Sequence, residues 1–86
     1  MGEPSVDGIR ILLFAGLREQ AGWGDRHWPA PAATATTLTP RQLWQALELP
    51  GTMSSMRIAI NQQFAEPDTP VHPGDELAFL PPTSGG

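Results

Sequence analysis

Few side chains in this sequence are spaced for catalysis. The group best placed for chemistry is the backbone at the C-terminus. The sequence closes Pro81-Pro82-Thr83-Ser84-Gly85-Gly86 directly after the apolar run Leu77-Ala78-Phe79-Leu80. A final Gly-Gly carries its carboxylate on backbone without Cβ atoms, so the tail can enter a slot too narrow for any other residue. Pro81 and Pro82 fix their own φ angles and stiffen the base of the tail. Fully extended, residues 81–86 reach about 20 Å, far enough to thread into another protein's active site. The expectation is a tail in which Gly86 reacts while Pro81, Pro82, Thr83, Ser84 and Gly85 thread. Fixing each backbone residue costs about 1–2 kcal/mol, so the tail is expected to be disordered alone and ordered in a partner's channel. Fraying is the default for terminal residues. A strand and a Pro-Pro stem leading into Gly-Gly set this end apart from that default.

The other candidates are weaker. The sequence has no cysteine, which removes disulfides, thiolate nucleophiles and cysteine metal sites together. Any sulfur chemistry would have to occur on something other than a side-chain thiol. His27 and His72 stand alone, without the clustered ligands that zinc requires, and read as surface or structural. No metal site is expected. Asp75-Glu76 has the form of an acid–base pair, but its place at the start of a strand favours a turn. Glu66 and Asp68 read as a solvated loop. Phe79 and Leu80 point to opposite faces of the last strand. One belongs to the core and the other is free for a partner's groove, where buried apolar anchors dominate binding. Arg18 is expected to support that partner surface.

At 86 residues the chain makes one domain with a modest core, burying a little over ~60% of its unfolded surface. Ten prolines and nine glycines imply many turns. The net charge of -4 and the lack of a basic stripe argue against nucleic acid. All five basic residues are arginines, which is the pattern of a genome rich in G and C. Without lysine, the chain cannot build isopeptide chains on itself. No apolar stretch approaches transmembrane length, and nothing at the start resembles a signal peptide. The expectation is a cytoplasmic protein without membrane contact.

Residues 1–8 read as a flexible leader, 9–80 as the folded domain and 81–86 as the tail. Ile9 to Ala15 is nearly continuously apolar after Arg10, as for a strand covered on both faces, with Gly16 breaking it. Leu17 to Ala21 suits a short helix stopped by Gly22. Asp25 to Trp28 predicts a short second strand, restricted to an edge or ended by Pro29 and Pro31. Ala32 to Leu38 reads as loop. Thr39-Pro40-Arg41-Gln42 is a helix start, with a capping Thr, Pro at the first position and Gln completing a capping box. Leu43, Trp44, Ala46 and Leu47 share an apolar face of a Thr39–Leu49 helix. Met56, Ile58 and Ile60 alternate with polar or small residues as a half-buried strand. Asn61-Gln62-Gln63 is a turn candidate, and Phe64-Ala65 begins a return strand. Val71 to Asp75 turns into the last strand, Glu76 to Leu80. Trp44 reads as core. Trp23 and Trp28 flank a turn, where core is favoured over an exposed apolar surface. The layering that follows is α+β, a mixed sheet packed against one main helix.

Three stretches carry a resemblance. Phe14-Ala15-Gly16-Leu17-Arg18-Glu19, Ala59-Ile60-Asn61-Gln62 and the closing block from Pro73 to Gly86 resemble the small subunits of molybdopterin synthase. These belong to the sulfur-carrier group that also holds ThiS. The resemblance spans residues 9–86, and its specific part is the phenylalanine-containing strand followed by Pro-Pro and Gly-Gly. The proline-rich Trp28-Pro29-Ala30-Pro31 and the absence of lysine depart from the pattern. The resemblance implies a β-grasp (ubiquitin-like) fold. It also implies a carrier that is no enzyme by itself and binds no cofactor. An E1-like adenylyltransferase, using ATP and magnesium, would convert the Gly86 carboxylate to an acyl-adenylate. A sulfur donor would displace AMP and leave a thiocarboxylate. The large synthase subunit, paired with the carrier in a heterotetramer, would receive the tail and pass the sulfur to cyclic pyranopterin monophosphate. Two other roles share such a tail: a sulfur carrier for thiamine thiazole, and a ubiquitin-like modifier that forms an amide with a target lysine.

Overall fold

The computed structural model describes residues 8–29 and 38–82. The chain runs β1 (Gly8–Leu13), α1 (Ala15–Ala21), β2 (Asp25–Pro29), α2 (Pro40–Ala46), a 3-10 turn (Met53–Ser55), β3 (Arg57–Ile60), β4 (Gln63–Ala65) and β5 (Glu76–Leu80). The five strands form one sheet in the order β2-β1-β5-β3-β4. The central pair β1–β5 is parallel, with Leu12 beside Ala78 and Leu13 beside Phe79. The other pairs are antiparallel. This is the mixed sheet that the strand order predicts. β2 is an edge strand, as its terminal Pro29 requires.

Local chemistry explains the helix ends. Gln42 N–H donates to Thr39 Oγ1 at 3.2 Å, and Thr39 N–H donates to Gln42 Oε1 at 3.0 Å. These two bonds complete the predicted capping box and satisfy two otherwise orphaned donors. Gly22 takes φ 86° and its N–H donates to the Arg18 carbonyl, which closes α1 as a left-handed glycine stop.

Several boundaries differ from the sequence expectation. β1 begins at Gly8 and ends at Leu13, not at Ala15. The cause is Ala15, which takes φ 52°. A left-handed residue costs about 1–2 kcal/mol when it is not glycine, and here it swings the chain from strand to helix in one step. Gly16 therefore lies inside α1 rather than breaking the strand. α2 stops at Ala46, short of the expected Leu49, because Leu47 caps it and Glu48 turns to φ 53°. The 3-10 turn had no counterpart in the expectation. Asn61 and Gln62 both take positive φ, 53° and 69°, as a tight right-twisted hairpin between β3 and β4 demands.

The core lies between α2 and one face of the sheet. Ile9, Ile11, Leu13, Leu43, Trp44, Ile58, Leu77 and Phe79 are buried in one cluster, with Leu17 from α1. Trp44 meets Phe79 edge-on at 5.1 Å between ring centroids. Trp23 and Trp28 are partly buried and pack against the same cluster, as the core reading favoured. Burying each large aliphatic or aromatic side chain contributes about 1.5–3 kcal/mol. Among the described residues no polar or charged side chain is buried, so the core holds no hidden titratable group.

Candidate functional site

Strand alternation divides the apolar residues of the sheet between two faces. Ile9, Ile11, Leu13, Leu77 and Phe79 face α2. Leu12, Ala59, Ala78 and Leu80 face the other way. With Phe14, Gln62, Phe64 and Glu76 they line a shallow hollow on the outer face. The registers place Leu12, Ala78, Ala59 and Phe64 in a single row across β1, β5, β3 and β4. The next row toward the tail holds Leu80 opposite Arg57. Phe14 is 42% exposed and Phe64 71% exposed. This is a contiguous apolar surface on a small chain, and such patches mark interaction sites.

The predicted partner residues are separated by this geometry. Phe79 is fully buried, at 0% exposure, against Trp44, so it holds the core and does not line the outer face. Leu80 is half-buried on the outer face and leads into the half-buried Pro81 and the exposed Pro82. Arg18 lies at the border of that face. Its side chain runs beside Gly24, where an added Cβ would stand 2.6 Å from Nε. It shares a second hollow with Leu12, Leu13, Phe14 and Asp25. Thr83, Ser84, Gly85 and Gly86, with the expected disorder of the tail, lie outside the described residues. Residues 1–7 of the expected leader do as well.

The predicted set omitted Leu12, Phe14, Phe64 and Arg57. Leu12 and Phe14 had a signal in the sequence, since they share a parity opposite to Ile9, Ile11 and Leu13. Phe64 and Arg57 join the face only through the β3–β4 and β3–β5 registers.

The end of the outer face away from the tail is polar. Arg10 donates to both carboxylate oxygens of Asp25, Nε at 3.2 Å and Nη2 at 2.7 Å, and Nη1 lies 4.0 Å from Glu76. The hydrogen bond from Arg10 holds the Asp25 carboxyl below its ordinary value. Arg41 does the same to Asp68 on the helix side. Asp75 is structural: it accepts from His72 N–H at 2.8 Å and from Asn61 Nδ2 at 3.0 Å. Asn61 Oδ1 in turn accepts from Glu76 N–H at 3.0 Å. Asp75-Glu76 therefore pins the start of β5 to the β3–β4 turn and is not an acid–base pair. Among the described residues, no cluster of three or more His, Asp or Glu could hold a metal ion. Among the described residues, no helix is long and apolar enough to cross a membrane.

A mixed five-stranded sheet with two seven-residue helices, rather than the one main helix expected, whose last strand runs on into Pro81 and Pro82, defines a β-grasp domain of the ubiquitin-like class. SAMP1 from Haloferax volcanii superposes with a TM-score of 0.71 at 24% identity, covering 92% of this chain and 99% of that one. Urm1 from Trypanosoma brucei superposes with a TM-score of 0.68 at 17% identity, covering 93% and 96%. The chain belongs to the ThiS family, whose sequence profile matches residues 11–86. It is similar to two proteins named molybdopterin synthase sulfur carrier subunit. That of Arabidopsis thaliana is 33% identical over 81 residues, covering 91% of this chain and 82% of the relative. That of Escherichia coli K12 is 34% identical over 82 residues, covering 91% and 99%.

Proposed function

We propose that the chain is a sulfur carrier that delivers sulfur from a thiocarboxylate on Gly86 to cyclic pyranopterin monophosphate, as the small subunit of molybdopterin synthase. The observation that carries this reading is the continuity of the outer apolar face with the tail: Leu80 closes the face and Pro81 begins the tail. The names of the two relatives support it.

A free carboxylate is a poor electrophile, so the tail has to be activated. An E1-like adenylyltransferase with ATP and magnesium joins the Gly86 carboxylate to AMP and releases pyrophosphate. Sulfide-level sulfur from a donor then attacks the acyl carbon, the acyl C–O bond to AMP breaks, AMP leaves with the bonding pair, and a thiocarboxylate remains. In the large synthase subunit the thiocarboxylate sulfur bonds to a pterin side-chain carbon, displacing an oxygen leaving group; water then attacks the acyl carbon, the acyl C–S bond breaks, the sulfur stays on the pterin and the Gly86 carboxylate is restored. Two carriers in turn supply two sulfurs. The body of the domain contributes no catalytic side chain. It grips each partner through Leu12, Phe14, Phe64 and Leu80, with Arg18 at the border, and sets how far the tail reaches. The electrostatic and acid–base work lies with the partners.

Intact mass spectrometry after incubation with the adenylyltransferase, ATP, magnesium and a sulfur source tests this. The expected product has gained the mass difference between sulfur and oxygen, and it converts the pterin when the large subunit is added. Deleting Gly86 removes both results and leaves the melting temperature unchanged, because a displacement of even ~1 Å at the reacting atom can cost a hundredfold in rate. Amide adducts to lysines of other proteins would mark a modifier instead. A thiocarboxylate that reaches thiamine thiazole but not the pterin would place the carrier in the other sulfur pathway.

A further inference from the structure

We propose that Arg57 is a specificity determinant of the outer face, reading a carboxylate on the rim of the large synthase subunit where the tail leaves the domain. This rests on the carrier reading above and names the chemistry of the partner at that site.

The five arginines are employed differently. Arg10 is bound to Asp25 and Arg41 to Asp68, each through two nitrogens. Arg26 lies 4.2 Å over the Trp23 ring. Arg18 runs along Gly24. Arg57 stands directly opposite Leu80 in the β3–β5 register, and its guanidinium carbon is 5.5 Å from the Phe64 ring centroid. Among the described residues no carboxylate lies within 4.0 Å of it. Its outer-face neighbours in β5 and β4 are apolar, Leu80 directly opposite and Phe64 on the diagonal; Glu66, one residue past the end of β4, is next in that register and stays more than 4.0 Å from the guanidinium. The face is therefore graded. The end away from the tail is polar and internally paired through Arg10, Asp25 and Glu76. Among the described residues, the end at the tail is apolar and carries the exposed Arg57 with no carboxylate within 4.0 Å, on a chain whose net charge is -4.

A partner that covers Leu80 and Phe64 must also take water from Arg57. A guanidinium so desolvated is stable only when paired. The planar fork pairs best with a carboxylate, through two parallel hydrogen bonds. Contact with Phe64 restricts where that fork can lie, so the position of the carboxylate on the partner is constrained. A partner with a basic or purely apolar rim is rejected by the same group. Arg57 does not act on the reacting carboxylate. Gly86 lies six residues beyond Leu80, about 20 Å away when the tail is extended. Its role is to select the partner and fix the register in which the tail is offered.

Calorimetric titration of the full chain against the large synthase subunit of the same organism, at low and at high salt, tests the assignment. Arg57→Gln is expected to bind about tenfold more weakly at low salt, with a flattened salt dependence, as for loss of a charged contact at an interface. Arg57→Glu is expected to bind more weakly still. Arg57→Lys falls between wild type and Arg57→Gln, since it keeps the charge and loses the fork. Thermal melts of all three variants stay at the wild-type value. Wild-type affinity and salt dependence in Arg57→Gln would overturn the inference and leave the carrier reading standing. A loss that is the same at both salt levels would assign Arg57 to packing on Phe64 and would also overturn it. No binding by the wild-type chain would defeat the carrier reading, and this inference with it.

Discussion

On the inner face of the sheet, Ile9, Ile11, Leu13, Leu77 and Phe79 have at most 2% of their surface exposed, because α2 lies over them. On the outer face, Leu12 and Leu80 are half-buried, Phe14 is partly exposed, and Phe64 stands largely in water. Both sets are apolar, and only the first is consumed by folding. β1 shows the difference most clearly. Its nearly continuous apolar run predicts a strand covered on both faces. Among the described residues the strand has neighbours on both edges but a helix on one face only. The second apolar face is left exposed, ends where the tail begins, and is the surface proposed above for a partner. A run that looks like core on both sides can thus be core on one side only.

This contrast can be broken by changing one face at a time. The largest expected effect is on the inner face. Phe79→Ala removes the ring that meets Trp44 and leaves a cavity, for a loss of about 3–5 kcal/mol. That is a large part of the roughly 5–15 kcal/mol that holds a domain together. Urea denaturation followed by circular dichroism should show a domain unfolded or close to it. Leu80→Glu, one residue later, should alter stability by less than about 1 kcal/mol. It should weaken binding to the large synthase subunit and to the adenylyltransferase by about 2 kcal/mol or more, as for an apolar anchor at an interface. Titration calorimetry beside a thermal melt separates the two effects. If Leu80→Glu unfolded the domain, the outer face would be structural after all.

Smaller changes sharpen the inner side of the comparison. Thr39→Ala removes one bond of the capping box, for a loss of about 1 kcal/mol. In a domain of this size that lowers the melting temperature by roughly 4–8 °C, with partner affinity unchanged because α2 lies across the sheet from the outer face. The smallest effect is electrostatic. Asp25 and Asp68 are held below the ordinary value of 3.8 by hydrogen bonds from Arg10 and Arg41. A lowered folded-state value means the stabilisation is present in full above pH 3.8 and is lost as the pH falls through the lower folded value. Stability followed by denaturant titration should therefore be flat from neutral pH to just above that point and decline below it. Asp25→Asn with Asp68→Asn should reduce the decline only slightly, since both pairs are exposed to solvent.

Much of the fold was legible because it rests on short-range chemistry. Thr39-Pro40-Arg41-Gln42 announces its own cap, Gly22 its stop, and Glu76 to Leu80 its strand. What escaped depends on contacts between distant residues. The end of β1 is set by a left-handed Ala15, a state that alanine does not signal. The early end of α2 is set by Glu48 in the same region. For the candidate site, the sequence narrows the surface residue to Phe79 or Leu80 and cannot choose between them, because both are apolar. The choice follows from which face meets Trp44. Phe64 and Arg57 enter the site only through hairpin and sheet registers, which a single sequence does not display.

The division of labour between the two faces is tested most directly by amide NMR of the labelled chain, titrated with the large synthase subunit. That division of labour requires the resonances of Leu12, Phe14, Arg57, Phe64, Ala78 and Leu80 to shift or broaden, together with those of the tail. The exposed side of α2, from Arg41 to Ala46, should remain unmoved. Perturbation centred on α2, with the outer face silent, would contradict it.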